Sequence, residues 1–186
     1  MKPLLFAAAS NRYFEDYGNV LMNSATVHNM PCCIHNGGDL GDVEASNLRF
    51  LMLPDLLKEH KSVLVLDIDS IIMESFEIDP DYDLGIFLRP DRGQLRDKTL
   101  LAAFYITDAA MDFALNLREL CRGAKVWADE QKFVWELYEK YKNDYRIWTI
   151  DDTFLNWKCR PAKIWSGKGS VKYKSPDYRK EHNRYA

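Results

Sequence analysis

The sequence has no apolar run long enough to span a membrane, and its opening apolar segment, MKPLLFAAAS, is too short for a signal peptide. It also has no internal repeats and no low-complexity segment, which excludes repeat architectures and long disordered linkers. Cysteine is scarce, and no CxxC pair or histidine spacing indicates a zinc site, so we expect reduced, buried structural thiols. The cysteines are Cys32, Cys33, Cys121 and Cys159. Together these absences predict a cytoplasmic protein without a transmembrane segment.

The 186 residues are 47% hydrophobic and 28% charged, which is typical of one globular domain with a substantial core. Segment 158–186 has nine Lys or Arg and two acidic residues, whereas 1–157 has 16 basic and 26 acidic residues, a net charge of −10. A basic C-terminal segment on an acidic body could be a nucleic-acid arm or a local phosphate clamp. Trp165, Gly167, Gly169 and Tyr173 interrupt the basic run. This favours an ordered phosphate-binding loop, and we expect no nucleic-acid partner.

Strand-like and helix-like segments alternate along the chain. In the first half, segments 3–10, 31–38 and 62–73 have strand character, and 11–29 and 43–60 have helical periodicity, the second broken at Pro54. This order predicts a parallel sheet with crossover helices, and ligands of such sheets bind beyond the carboxyl ends of the strands. The second half has candidate strands at 81–91, 100–107 and 145–150, and candidate helices at 108–123 and 127–142.

Two aspartates separated by one residue follow the most apolar candidate strand, in the stretch VLVLDIDSII. An ionised carboxylate is costly to bury unless it is paired or binds a metal. Residues i and i+2 share one side of an extended backbone, so Asp67 and Asp69 could converge on one cation. Oxygen ligands of this kind suit Mg²⁺ or Mn²⁺. A solvated turn with two ordinary surface aspartates is equally consistent with the motif alone.

The same motif resembles the nucleophile motif of haloacid dehalogenase phosphatases. That resemblance implies that Asp67 is the nucleophile, and Thr107 and the pair Asp151-Asp152 resemble the later motifs of that family. The family places its DxD on the first strand, however, whereas here two strand–helix units precede it. A phosphatase is therefore the alternative function.

Five blocks follow one another along the whole chain: AAASNRYFEDYGNVLMNSA, SNLRFLMLPDLLKEHKSVLVLDIDSII, DYDLGIFLRP, WADEQKF and NWKCRPAKIWSGKGSVKYK. Their order resembles the GT-A nucleotide-sugar glycosyltransferases of the glycogenin and lipopolysaccharide galactosyltransferase type, including short bacterial and phage members. The resemblance implies a single α/β domain over 1–186, a Rossmann-like sandwich with a mostly parallel central sheet flanked by helices. Within it, 1–73 would be the nucleotide-binding half, 74–157 the donor-sugar and acceptor half, and 158–186 a basic phosphate-binding tail.

The resemblance also implies a role for each motif. Asp67 and Asp69 would hold Mn²⁺ or Mg²⁺ against the donor diphosphate, with Asp69 the surer direct ligand. Asp129, Glu130 and Gln131 would contact sugar hydroxyls or the reacting centre, which makes them candidate catalytic residues. The residues implied for nucleoside and phosphate binding are Ala8, Ser10, Asn11, Tyr13, Arg49, Gly167, Lys168, Gly169 and Lys172.

Several of these roles have a structural alternative in the sequence. Arg49 could be a surface charge on a helix, and Asn11 with Tyr13 could be a helix start followed by a core tyrosine. Asp129 and Glu130 could be helix N-terminal acids stabilised by the helix dipole.

The sequence departs from the family pattern at two places. Ser166 stands where relatives have a metal-binding histidine, and Leu101-Ala102-Ala103 stands where they have an Asn-Ala-Gly strand. The expected function is transfer of a sugar from a nucleotide sugar, a UDP-sugar. The motifs do not determine the stereochemistry of the transfer, and the glycogenin-like resemblance favours retention. The acceptor would be a glycan, a lipid-linked sugar, a protein or a small molecule. Because of Ser166, a non-catalytic sugar-nucleotide binder is a further alternative.

Overall fold

The computed structural model describes the backbone of residues 1–186 and every side chain except those of Asp42 and Arg96. In chain order the strands are β1 (Leu4–Ala9), β2 (Cys32–Asn36), β3 (Ser62–Leu66), β4 (Ser70–Ile72), β5 (Leu84–Leu88), β6 (Thr99–Thr107), β7 (Ile147–Thr149), β8 (Leu155–Asn156) and β9 (Ile164–Ser166). The helices are α1 (Asn11–Tyr13), α2 (Asn19–Val27), α3 (Asp42–Leu51), α4 (Leu53–Glu59), α5 (Met111–Arg122), α6 (Asp129–Tyr141), α7 (Val171–Lys174) and α8 (Pro176–Tyr185). A π-helical turn, Phe14–Gly18, joins α1 to α2, and short 3-10 turns lie at Leu95–Asp97 and Asp108–Ala110.

The larger sheet has six strands in the order β2-β1-β3-β6-β5-β7. Strand β1 pairs in parallel with β2 and β3, β5 pairs in parallel with β7, and β6 is antiparallel to both of its neighbours. Five strands therefore run in one direction and β6 runs against them. This confirms the predicted α/β fold with a mostly parallel central sheet and crossover helices.

Both faces of the large sheet are covered, which explains why its central strands are continuous apolar runs. Alternate residues of β1 and β3, such as Phe6 and Val65, pack against Phe50 of α3 and Phe113 of α5. Their neighbours on the opposite face, such as Leu64, pack with α2 and with residues near the smaller sheet. That smaller sheet has the order β4-β9-β8. None of the helices in the described chain is long and apolar enough to cross a membrane.

The single strand expected over 62–73 is in fact two strands in different sheets. Strand β3 ends at Leu66, and the backbone N–H of Ser70 donates to the carbonyl of Asp67 over 3.1 Å, which closes a turn. Strand β4 then leaves the large sheet and pairs with β9. Asp67 and Asp69 therefore lie in a turn and not on one extended strand, so the expected strand alternation does not apply to them.

Two further expectations need correction. The break in the second long helix falls at Met52 and not at Pro54, because Pro54 lies in the first turn of α4, where a missing N–H costs nothing. The basic tail is more than a loop, since it contains β9, α7 and α8, and the Ser175 hydroxyl caps α8 by accepting from the backbone N–H of Tyr178. Helix α8 packs against α2, which holds the C-terminal end of the chain against the rest of the domain.

The four cysteines are free thiols in different environments. Cys121 is buried as expected, and burial raises its pKa to about 12. Cys33 is exposed on the edge strand β2, so the expectation of buried thiols was wrong for this residue.

Candidate functional site

A cavity of about 600 Å³ opens at the carboxyl ends of β1 and β3, where ligands bind in open α/β sheets. Eleven of the fourteen site residues expected from the sequence line it. These are Ala8, Ser10, Tyr13, Arg49, Asp67, Asp69, Glu130, Gln131, Lys168, Gly169 and Lys172. They come from five separate parts of the chain, and the fold brings them to one place.

The order of strands in the sheet sets the order of groups across the cavity. Ser10 follows β1, the DxD turn follows β3, and Leu101 of β6 lies beyond it. The backbone N–H of Asp67 donates to the carbonyl of Ala102 over 3.2 Å, which fixes the turn against β6. The Thr99 hydroxyl donates to the carbonyl of Gln131 over 2.8 Å and ties the first turn of α6 to the same strand. The DxD turn is therefore central, with the end of β1 on one side and the start of α6 on the other.

Each carboxylate of the DxD turn has its own cationic partner. Arg49 donates to Asp67 over 2.5 Å, and the Lys172 ammonium donates to Asp69 Oδ2 over 3.0 Å. Asp69 Oδ1 is buried and has no hydrogen-bond partner among the described residues. Burial raises the pKa of Asp69, the charge of Asp67 raises it further, and Lys172 acts in the opposite direction. Asp69 thus keeps one free acceptor atom in the cavity wall.

A divalent cation fits this site only with help from a ligand. Among the described side chains, no group of three or more His, Cys, Asp or Glu residues could hold a metal ion by itself. The unpartnered oxygen of Asp69 is nevertheless suited to a cation whose other ligands are phosphate oxygens and water, as is usual for Mg²⁺. Ser166 is fully buried in β9 opposite Ser70 and does not line the cavity, so it offers no ligand there.

The tail supplies two lysines to the cavity. Lys172 lies 5.1 Å from the ring centre of Tyr13 and 5.3 Å from that of Tyr17, so aromatic faces hold its ammonium beside Asp69. Burial would lower the pKa of Lys172, but the adjacent Asp69 carboxylate raises it above its ordinary value. Burial lowers the pKa of Lys168, and the charge of Asp67 opposes that effect. An anion entering the cavity would meet both ammonium groups.

Gly167 positions the DxD turn and does not line the cavity. Its backbone N–H donates to the carbonyl of Asp69 over 2.8 Å, and the Tyr178 hydroxyl donates to the same carbonyl over 2.7 Å. A Cβ on residue 167 would lie 2.7 Å from the Tyr178 hydroxyl and 3.1 Å from the Asp69 Cβ. Gly169, by contrast, has a φ of +62°, a conformation that glycine adopts without strain.

The first turn of α6 brings two polar side chains to the cavity wall. Glu130 and Gln131 are both more than nine-tenths buried, and Glu130 Oε2 and Gln131 Oε1 have no hydrogen-bond partner among the described residues. Burial raises the pKa of Glu130, and the charge of Arg49 opposes that effect. Unpaired buried acceptors are costly, so they are suited to the hydroxyl donors of a bound ligand.

Two expected site residues have other partners, and neither lines the cavity. The Asp129 carboxylate accepts from the backbone N–H groups of Lys125 and Val126 over 2.9 and 3.1 Å, as a brace for the loop before α6. The Asn11 amide donates to Asp39 over 2.7 Å. Conversely, Trp127 lines the cavity although sequence reasoning assigned it no role. The sequence feature that could have identified Trp127 is its position in the WADEQKF block.

Two solved structures with a similar fold are glycosyltransferases. One is a glycosyltransferase involved in glycosylation of the major capsid of PBCV-1, with a TM-score of 0.67 and 12% identity over 98% of this chain and 99% of that one. Another is the glycosyltransferase GlyE of Streptococcus pneumoniae TIGR4, with a TM-score of 0.61 and 14% identity over 100% of this chain and 63% of that one. No family model and no curated protein matches the sequence. At these identities the similarity establishes a glycosyltransferase fold.

Proposed function

We propose that the protein is a metal-dependent glycosyltransferase of the GT-A type. It would move a sugar from a UDP-sugar to an acceptor that is a glycan, a lipid-linked sugar, a protein or a small molecule. One observation carries the proposal: the cavity at the strand ends combines the DxD turn with the cationic side chains Arg49, Lys168 and Lys172. A diphosphate needs such a concentration of positive charge, and the unpartnered oxygen of Asp69 suits a shared cation. The glycosyltransferase fold of the chain supports the same function.

The order of groups across the cavity suggests how the donor lies. The nucleoside would lie at the end of β1, with its base against Tyr13, which is partly exposed at the cavity. The diphosphate would lie over the DxD turn, within reach of Lys168 and Lys172. The sugar would lie at the start of α6, where its hydroxyls could donate to the unpaired oxygens of Glu130 and Gln131.

In the transfer reaction the bond between the anomeric carbon and the diphosphate oxygen breaks, the oxygen of an acceptor hydroxyl forms the new bond, and the hydroxyl proton passes to the leaving diphosphate or to water. Negative charge then grows on the leaving diphosphate, and Lys168 and Lys172 would stabilise it with charged hydrogen bonds. Asp69, together with Asp67, would hold Mn²⁺ or Mg²⁺, which supplies Lewis-acid neutralisation of that charge when bound. Arg49 holds Asp67 in place from the adjacent helix α3.

Calorimetric titration with UDP tests the metal-bridge proposal. We expect Mn²⁺ to strengthen UDP binding to the wild-type protein by at least about tenfold, a difference of about 1.4 kcal/mol. Asp69→Asn should lose that gain, because an amide is a much weaker ligand for a hard cation than a carboxylate. Equal UDP affinity with Mn²⁺ and with a chelator would contradict the metal bridge.

Activity assays separate the proposal from its two alternatives. We expect the wild-type protein to release UDP from at least one UDP-sugar and to leave aryl phosphates unchanged. A dehalogenase-type phosphatase would instead hydrolyse aryl phosphates in an Asp67-dependent way and trap beryllofluoride on that carboxylate. UDP binding without release of UDP from any common UDP-sugar would identify a non-catalytic sugar-nucleotide binder.

A further inference from the structure

Trp127 is the large aromatic side chain at the rim of the cavity to which no function has yet been given. It lies in the loop between α5 and α6, is 61% exposed, and also lines the cavity. Tryptophan is highly buried on average, because a bare indole leaves a large apolar area in contact with water. An indole exposed to this extent at the edge of the cavity therefore needs a reason other than packing.

The loop that carries Trp127 has a defined shape. Ala128 has a φ of +69° and is almost fully buried, which anchors the chain directly after the tryptophan. The Asp129 carboxylate accepts from the backbone N–H groups of Lys125 and Val126, which braces the chain before it. A side chain displayed by a braced loop loses less conformational entropy when a ligand binds than one on a free loop.

Trp127 lies next to the start of α6, the part of the cavity where the donor sugar would lie. It precedes Glu130 and Gln131, which lie buried in the wall with unpaired acceptor oxygens. The start of α6 is tied to β6, and β3 separates β6 from β1, where the nucleoside would lie. Two strand spacings amount to about 10 Å, so the helix start that follows Trp127 is anchored at a distance from the strand end where the nucleoside would lie.

We propose that Trp127 is the platform on which a carbohydrate acceptor stacks. This inference rests on the proposed function and specifies the acceptor as a sugar ring. One face of a hexose ring is made largely of C–H groups, and these pack on the negative face of an indole while the hydroxyls stay hydrated. The buried Glu130 and Gln131 are placed for the donor sugar, whereas the exposed Trp127 lies outside them, where an acceptor enters from solvent.

Substitutions in this loop distinguish stacking on Trp127 from a general disturbance of the cavity. Trp127→Ala removes the stacking surface, and Trp127→Phe keeps a smaller one. Val126→Ala is the matched control, because Val126 is the exposed neighbour in the same loop and does not line the cavity. The probes are the methyl glycosides of glucose, galactose, mannose and N-acetylglucosamine, followed by saturation-transfer NMR in the presence of UDP and Mg²⁺.

We expect at least one glycoside to bind the wild-type protein with saturation concentrated on one face of its ring. Its dissociation constant should rise about tenfold in Trp127→Ala, rise less in Trp127→Phe, and stay within about twofold of wild type in Val126→Ala. The affinity for UDP should be unchanged in all three variants. Equal glycoside binding by wild type and Trp127→Ala, or no binding of any glycoside by a protein that binds UDP, would overturn the platform.

Two further outcomes have separate meanings. If the wild-type protein fails to bind UDP, the proposed function fails, whatever the glycosides do. If Trp127→Ala reduces the preference for UDP-glucose or UDP-galactose over UDP, the indole holds the donor sugar and the acceptor platform is wrong.

Discussion

At the scale of single residues, Asp67 and Asp69 are neighbouring carboxylates whose environments differ. They are two residues apart, yet Arg49 pairs with the first and Lys172 with the second. Only Asp69 keeps a buried oxygen without a partner. The two aspartates are therefore unequal in this structure, and Asp69 is the residue at which a cation or a further donor is most needed.

Glu130 supports a prediction about stability against pH. Burial raises its pKa above the unfolded value of about 4.5, so folding penalises the charged form at neutral pH. Glu130→Gln removes that charge. We expect the variant to exceed wild type in free energy of unfolding by on the order of 1 kcal/mol at pH 8. The difference should shrink as the pH falls through the folded pKa and vanish below about 4.5.

Urea denaturation at pH 8, 6 and 4.5 measures this difference. Glu136→Gln is the matched control on the same helix, since Glu136 forms an exposed ion pair with Lys132 and its replacement should change stability little. A Glu130→Gln variant that is no more stable than wild type at pH 8 would show that the ionised Glu130 carboxylate does not destabilise the folded protein.

At the scale of elements, the C-terminal helix α8 acts as a support for the DxD turn. The Tyr178 hydroxyl of α8 donates to the carbonyl of Asp69, and the backbone N–H of Gly167, directly after β9, donates to the same atom. Tyr178 and Tyr185 also pack with Val20 and Ile71, residues of α2 and β4. Strand β9, the loop after it and α8 thus form one structural unit that holds the backbone carbonyl of Asp69 in place.

Gly167→Ala should disturb this unit, because a Cβ there meets the Tyr178 hydroxyl and ring carbon at 2.7 and 2.9 Å. Overpacking of this kind costs roughly 1–3 kcal/mol, and we expect a loss of stability in that range. UDP binding with Mn²⁺ should weaken in the same variant, because the Asp69 carbonyl shifts. Thermal unfolding and calorimetry measure the two effects.

The control for that substitution is Gly93→Ala, since nothing lies within 4 Å of a Cβ at Gly93. It should leave both stability and UDP affinity near the wild-type values. If Gly167→Ala matched this control, the tail would not position the DxD turn.

At the scale of the whole molecule, the charge is unevenly distributed, and a small part of the basic segment contributes positive charge to the cavity. The basic segment 158–186 carries nine Lys or Arg, yet only Lys168 and Lys172 of these line the cavity. The others, including the exposed Lys180 on α8, lie elsewhere. An acidic body with a net charge of −10 over 1–157 would repel a long polyanion, although salt screens this beyond about 8 Å.

A phosphate clamp and a nucleic-acid arm then predict different mutational effects. Lys172→Ala should weaken UDP binding by roughly 1–3 kcal/mol, the cost of a lost charged hydrogen bond, and Lys180→Ala should have little effect. Calorimetry with UDP and filter binding with single-stranded DNA and RNA at two salt concentrations measure both ligands. If both substitutions reduced nucleic-acid binding alike and left UDP binding unchanged, the clamp would be wrong.

The sequence by itself determined the apolar strands and the edge of the sheet where the cavity lies, and the resemblance of its motifs supplied most of the cavity residues. The apolar runs of β1, β3 and β6 are local signals, because a strand buried on both faces must be apolar throughout. The alternation of strands and helices then sets a parallel sheet, whose strand ends collect the ligand site. Residues such as Ser10 and Asp67 can therefore be assigned to one place from the sequence alone.

Only the tertiary structure decided which groups face one another. Arg49 is 18 residues from Asp67 and Lys172 is 103 residues from Asp69, and neither pairing follows from a periodic pattern. The turn at Asp67–Ser70 forms because β4 finds its partner in β9, which is distant in the sequence. Such pairings depend on how helices and sheets pack, a property of the whole chain, so no local segment encodes them.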